Sequence, residues 1–270
     1  DLSKGHVSYL NSALNINALS FKGYFTNGAK MNPETSAVTL NDMIGTLGSA
    51  QYSGSLSLSD FHSPNGSLQL KGKLIPSEIK EFFDLRDIST AKGSVDFVLT
   101  IMGKVPAVEK FSVSDFLALD PIADLNFNSF GIGVHNDKIM VDNVTGNLFV
   151  SDTVTAKDLK FSYRKQDFKL DGTFINLTGW LTGKPVILSA DAALTAKTIR
   201  PEILFPSLSD TSSANTAYLL PRDIILDLDF AFDNLEYKTF SAEKIKGSMS
   251  YKPCIFNFKA LKLNMHWNTW

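Results

Sequence analysis

Residues 220–237 read "LPRDIILDLDFAFDNLEY". Ile224, Leu226, Leu228, Phe230 and Phe232 alternate with Ile225, Asp227, Asp229, Ala231 and Asp233. Successive side chains of a strand point to opposite faces, so this alternation predicts a two-faced β-strand. One face is apolar and the other carries carboxylates. At the rise of a strand, residues 224–232 span about 30 Å. Burying the large side chains of the apolar face is worth about 2 kcal/mol each, roughly 10 kcal/mol for the strand. A monomer rarely leaves more than a few hundred Å² of contiguous apolar surface in water. Something must cover that face: a second sheet, helices, a partner or acyl chains.

The same period runs through the rest of the chain. "GSVDFVLTIMG" sets Val95, Phe97, Leu99 and Ile101 on one face, and "YSGSLSLSDF" does so for Leu56 and Leu58. "DLKFSYRKQDFKLDGTF" reads as two short strands, Leu159 to Tyr163 and Phe168 to Leu170, turning at Arg164 to Asp167. In "CIFNFKALKLNM", Phe256 and Phe258 fall out of phase with Leu261, Leu263 and Met265, which predicts a bulge between them. Helical signals are few. "IPSEIKEFFDL" predicts a helix near 76–84, with Pro76 in its first turn and Ile79, Phe82 and Phe83 on one side. "IRPEILFP" allows about one turn before Pro206, "SVSDFLALDP" fits a short helix capped by Ser114, and residues 207–217 read as a polar loop. The expected class is mainly β, an antiparallel curved sheet, taco-like or sandwich-like, built from tandem repeats with a few short helices.

Composition bounds the function. The chain has 270 residues, enough for one large or two modest domains, and 44% of them are hydrophobic. A net charge of −2 gives no basic footprint, so nucleic acid is not an expected partner. Cys254 is the single cysteine, which excludes a disulfide scaffold and reads as an inert buried thiol. His6, His62, His135 and His266 lack metal-ligand spacing, and Asp227, Asp229 and Asp233 read as a solvated face. No catalytic constellation, metal site or cofactor is expected. No window approaches 18 uncharged apolar residues, so no spanning helix is expected. The chain starts without Met and ends on "LNMHWNTW", which suggests part of a longer protein.

The sequence also repeats. "VTLNDMIGTL" (38–47), "IMVDNVTGNL" (139–148) and "FSAEKIKGSM" (240–249) share a pattern in which Gly45, Gly146 and Gly247 lie 101 residues apart. The glycines are expected at equivalent places inside or just before a strand. A second match joins Leu70, Lys73, Ile75, Glu78 and Ile79 to Leu194, Lys197, Ile199, Glu202 and Ile203, at an offset of 124. The extra residues, about one hairpin with its turns, suggest units that gain or lose a hairpin. The expected division is a first β unit over 1–130 and a second over 131–270 that includes the start of a third, joined near 128–138.

From "LTAKTIRPEILFP" through "LLPRDIILDLDFAF", "LEYKTFSAEKIKG" and "IFNFKALKL", the order of motifs over 186–265 resembles the C-terminal repeat region of AsmA-like proteins of diderm bacteria. The likeness is looser over 38–185, and the closing "HWNTW" departs from it. The resemblance implies a long curved sheet with a hydrophobic inner groove. It also implies a periplasmic location, with anchoring in the inner membrane by a helix outside this fragment. The implied role is moving phospholipid between inner and outer membranes and supporting outer-membrane biogenesis. The expected partners are phospholipid acyl chains, with envelope proteins as a second class. The groove candidates are Val95, Phe97, Leu99 and Ile101 on one strand, and Ile224, Leu226, Leu228, Phe230 and Phe232 on another. The alternative is a closed β-sandwich scaffold that binds protein partners by strand addition at its edge.

Overall fold

A computed structural model describes residues 1–8, 15–82, 85, 87–105, 119, 121–134, 139–204, 222–253 and 255–267. Strands take 74% of these residues and helices 8%, so the chain is mainly β. In chain order the strands are β1 (Leu2–Ser8), β2 (Asn15–Thr26), β3 (Ala37–Leu47), β4 (Ala50–Ser59), β5 (Asn65–Leu74), β6 (Ile88–Lys104) and β7 (Ile122–Val134). Then come β8 (Ile139–Val150), β9 (Thr153–Tyr163), β10 (Gln166–Ile175), β11 (Leu188–Ile199), β12 (Ile224–Tyr237), β13 (Phe240–Lys252) and β14 (Ile255–Trp267). Helix α1 (Pro76–Phe82) follows β5, α2 (Leu177–Leu181) follows β10, and α3 (Pro201–Leu204) follows β11. The strands form one open 14-stranded sheet in sequence order, mostly antiparallel and not closed into a barrel. Contacts divide the chain into two units: residues 1–139 with 147–152, and residues 140–146 with 153–270.

The 101-residue period is structural. Adding 101 to β3 gives 138–148, where β8 lies. The same shift carries α1 to 177–183, where α2 lies, and β7 to 223–235, where β12 lies. Each period therefore holds five strands and a helix after the third, and β13 and β14 begin another. Asp42, Asn143 and Lys244, each three residues before its glycine, all adopt left-handed backbone, with φ of 51°, 51° and 53°. The ladder slips around Asp42, between Leu40 and Met43, and around Lys244, between Glu243 and Lys246. An extra left-handed residue of this kind makes a bulge that bends and twists its strand. The glycines themselves lie inside β3, β8 and β13, but their settings differ. Gly146 has φ +107°, whereas Gly247 makes room for Phe230, whose ring carbon lies 2.6 Å from where a Cβ would stand.

The 124-residue match has another origin. It pairs the β5–α1 corner with the β11–α3 corner, which occupy different places in the period. The partner of α1 by position is α2. Among the described residues the 101-residue period accounts for the strands without an added hairpin, so that expectation is corrected: two strand-to-helix corners share their Ile and Glu positions, while their prolines, Pro76 and Pro201, fall one place out of step in the match. The predicted bulge in the last strand is present. Phe258 sits opposite Met249 and Ala260 opposite Ser248, which leaves Lys259 as the extra residue. The turn between β9 and β10 is tight, with Arg164 and Lys165 both at positive φ, the conformation that suits the twist of a two-residue hairpin. The predicted helix near 76–84 runs Pro76–Phe82. Phe83, Ser114, Cys254, His135 and the polar loop at 207–217 lie outside the described residues.

β11 and β12 are parallel, with Leu188 opposite Ile224 and Ile199 opposite Leu235. Parallel neighbours need a crossover of a dozen or more residues, and residues 200–223 supply its length.

Candidate functional site: the apolar face of each unit

Pairing register turns the alternation of single strands into continuous faces. In the first unit, Leu68 faces Ile101, Leu70 faces Leu99, Gly72 faces Phe97 and Leu74 faces Val95. On the other side of β6, Val95 faces Phe127, Phe97 faces Leu125 and Leu99 faces Ala123. In the second unit, Ala190, Ala192, Leu194 and Ala196 of β11 face Leu226, Leu228, Phe230 and Phe232. Across β12 these meet Tyr251, Met249, Gly247 and Ile245. Every candidate groove residue thus belongs to an apolar row several strands wide. Stacked rings tie the second row together: Phe230 on Phe232 at 5.4 Å and Phe161 on Phe168 at 5.4 Å. Phe161, Leu194, Leu204 and Phe232 pack around the buried Phe168, Ala196 and Ile199.

Opposite this face the second unit is charged. Lys169 bonds Asp158 at 2.8 Å and Lys259 bonds Asp227 at 2.7 Å, while Asp229 and Asp233 are exposed. The bond from Lys169, together with the nearby Lys160, holds the Asp158 carboxyl below its ordinary value, and Lys169 is raised in turn. Hydrogen bonding to Asp227 raises Lys259. A concavity of about 760 Å³ on this side is walled by Lys160, Lys169, Lys197, Asp167, Asp233 and Lys246. Phe161, Phe168, Ala196 and Ala231 share its lining with these charges, so the hollow is mixed rather than mostly apolar, as ligand pockets usually are.

Burial separates the candidates. Val95 is 5% exposed, but Phe97, Leu99, Ile101, Ile224, Leu226, Leu228, Phe230 and Phe232 are half-buried. Among the described residues none falls below 2% exposure. The apolar rows are lined up but incompletely covered. Val95 to Ile101 lie in one unit and Ile224 to Phe232 in the other, and each row is built within its own unit.

The first unit has a distinct apolar hollow of about 300 Å³. Ile16, Leu19, Met43, Leu47, Tyr52, Gly54 and Leu70 line it, and Ile79 of α1 closes one side. Tyr52 lies across the β5 backbone, its ring carbon 2.8 Å from where a Cβ of Gly72 would stand, and meets Phe97 with ring centroids 6.0 Å apart. The Tyr52 hydroxyl is buried without a hydrogen-bond partner among the described residues, as is Glu78 Oε2. Burial and the Glu78 charge both raise the phenol. The other oxygen of Glu78 accepts the Ser49 backbone N–H at 3.0 Å, which ties α1 to the β3–β4 turn. Sequence reading missed this hollow. The signal was present: the alternation of Leu58 and Leu56 continues back through Gly54 to Tyr52, but glycine interrupts it.

Among the described residues, no three His, Cys, Asp or Glu side chains are grouped as a metal ion would need. No described helix is long and apolar enough to cross a membrane. Comparison with protein-family models, with characterised proteins and with solved structures gives no match, so the functional argument rests on the geometry and the motif order.

Proposed function

We propose that this chain is a β-groove module that binds or conducts phospholipid through its acyl chains, in the manner of AsmA-like envelope proteins. The observation that carries the reading is the continuous, half-exposed apolar face, several strands wide, with charge on its reverse in the second unit. A sealed sandwich would bury such a row fully, as interiors are close-packed. A groove for mobile acyl chains leaves the same row partly open and asks no hydrogen bonds of it. The hollow beneath α1 is of the size at which ligand pockets begin, about 300 Å³. On this reading the module works in the periplasm, tethered to the inner membrane by a part of the protein outside these residues. It passes lipid between inner and outer membranes in support of outer-membrane biogenesis. No reaction and no cofactor belong to the reading.

The test is lipid mass spectrometry on the protein purified from an envelope-bearing bacterial host, beside Leu228→Asp. The wild type should carry phospholipid at roughly one mole or more per mole of protein. The variant should carry much less while its melting temperature stays within a few degrees, because a half-open row lets water reach the carboxylate. A lipid-free wild type together with an unfolded variant would leave the sealed scaffold as the better account.

A further inference from the structure

We propose that the apolar hollow beneath α1 is a binding site for an aliphatic chain that carries a hydroxyl group. The hollow holds about 300 Å³, and Leu19, Leu47, Leu70 and Ile79 give it a hydrocarbon wall, with the ring of Tyr52 among them. A mostly apolar wall with a few placed polar groups is the usual make-up of a small-molecule site. Two buried polar atoms at this place lack partners among the described residues: the Tyr52 hydroxyl and Glu78 Oε2. Buried polar atoms of folded proteins are nearly always hydrogen-bonded, so the two call for a shared partner. Neither group is a loose surface side chain. Glu78 accepts the Ser49 backbone N–H on its other oxygen, and its carboxyl takes the space that a Cβ of Gly48 would need. Its charge reaches the phenol and, with burial, raises it, which keeps the O–H in place to donate. Glu202, at the matching corner, also has an unpartnered oxygen, so the acid alone makes no site; at Glu78 a buried phenol stands within reach of the charge.

Hydrogen-bonding capacity selects the head of the ligand. An ionised carboxylate only accepts, and the phenol has one O–H to give. An alcohol completes both: its oxygen accepts from Tyr52 and its O–H donates to Glu78 Oε2. A carboxylate head has nothing to donate and meets the like charge of Glu78. An ammonium head cannot accept from Tyr52, and it would leave water for a hydrocarbon wall. Water has the same capacity as an alcohol but leaves that wall uncovered, so chain and hydroxyl together are the complement. The second unit builds the same place differently. Ala156 faces Gly172 where Tyr52 faces Gly72, and Trp180 stands in α2 where the 101-residue shift puts Ile79. The phenol has no counterpart there, so the site belongs to the first unit. The hollow is walled within that unit and does not depend on the open row of β12, so it stands or falls apart from the groove reading.

The probe is octanol, titrated into the delipidated 270-residue protein and followed by methyl NMR, with octanoate and octylamine in parallel. Octanol should give saturable shifts at the methyls of Leu19, Leu47, Leu70 and Ile79, and the other two chains should bind at least tenfold more weakly. Tyr52→Phe keeps the hydrocarbon of the wall, so its effect reads the hydroxyl: octanol should bind at least fivefold more weakly. Glu78→Gln should narrow the gap between octanol and octanoate to less than threefold. Ile79→Trp, the side chain that the second unit uses, should fill the hollow and abolish the leucine shifts. Equal binding of octanol and octanoate, octanol binding unmoved by Tyr52→Phe, or shifts centred on β12 overturns the proposal. Tighter octylamine would overturn it in favour of a cationic head, and no octanol shift would leave water as the partner of the two groups. Octanol binding by a protein that purifies without phospholipid would leave this inference standing and the groove reading refuted; phospholipid on a protein that ignores octanol would do the reverse.

Discussion

β6–β7 and β11–β12 occupy the same place in successive 101-residue periods, yet the first pair is antiparallel and the second parallel. Both nonetheless present an unbroken apolar row on one side. A side-chain period of two does not depend on strand direction, so reversing a strand changes its neighbours along the row but not its face. What differs is how the row is covered. In the first pair Val95 is itself buried against Phe127. In the second, small residues go under: Ala190, Ala192 and Ala196 are buried, while Leu226, Leu228 and Phe232 opposite them stand half-open. The contrast lies at one position rather than between whole rows: Val95 is packed, while Phe97, Leu99 and Ile101 on the same strand stand half-open like Leu226, Leu228 and Phe232.

Substitutions can break this contrast or sharpen it. The largest effect is expected from Val95→Asp, which buries an unpaired carboxylate: a loss of roughly 3–5 kcal/mol, read as a collapsed melting transition. Leu228→Asp should cost far less stability and instead remove bound lipid; equal destabilisation by the two would erase the distinction. The three period-related glycines form a finer test. Gly146→Ala should lose about 1–3 kcal/mol in chemical denaturation because its φ is unfavourable to any side chain. Gly247→Ala should lose a similar amount, about 1–3 kcal/mol, because its Cβ would stand 2.6 Å from both the Ala260 carbonyl oxygen and the Phe230 ring. At Gly45 a Cβ meets its nearest neighbours at 3.4 Å, so alanine should be neutral or stabilising by about 0.5 kcal/mol. Tyr52→Phe removes a buried hydroxyl that has no partner, and should leave the melting temperature unchanged or slightly raised.

The smallest effect is electrostatic. The Asp158 carboxyl is lowered in the folded chain, so its pairing with Lys169 stabilises above the unfolded carboxylate value, about 3.9, and is lost as pH falls through the lower folded value. Asp158→Asn should flatten that acid limb of the stability profile and change little at neutral pH.

Much of the fold was legible because alternation and bulges are local. The face of β12 and the slip at Lys259 follow from residues a few places apart, whereas the left-handed backbone shared by Asp42, Asn143 and Lys244 was not read from the sequence, which marked only the glycines three places on. Strand direction was not legible, since "DIILDLDFAF" alternates equally well read either way. The 124-residue match misled because "IPSEI" and "IRPEI" encode a corner, and a corner can recur anywhere a strand meets a helix. The hollow by Tyr52 escaped because its wall comes from four strands and a helix, and no one segment carries its outline.

The central claim is that acyl chains touch one face of β12 and not the other. Photo-crosslinking from single positions tests it most directly. A photoreactive residue is placed in turn at 226, 227, 228, 229, 230 and 231 in protein made in an envelope-bearing host, and lipid adducts are read by mass spectrometry. The account predicts adducts at 226, 228 and 230 and none at 227, 229 and 231. Adducts without that alternation, or none at any position, would contradict it.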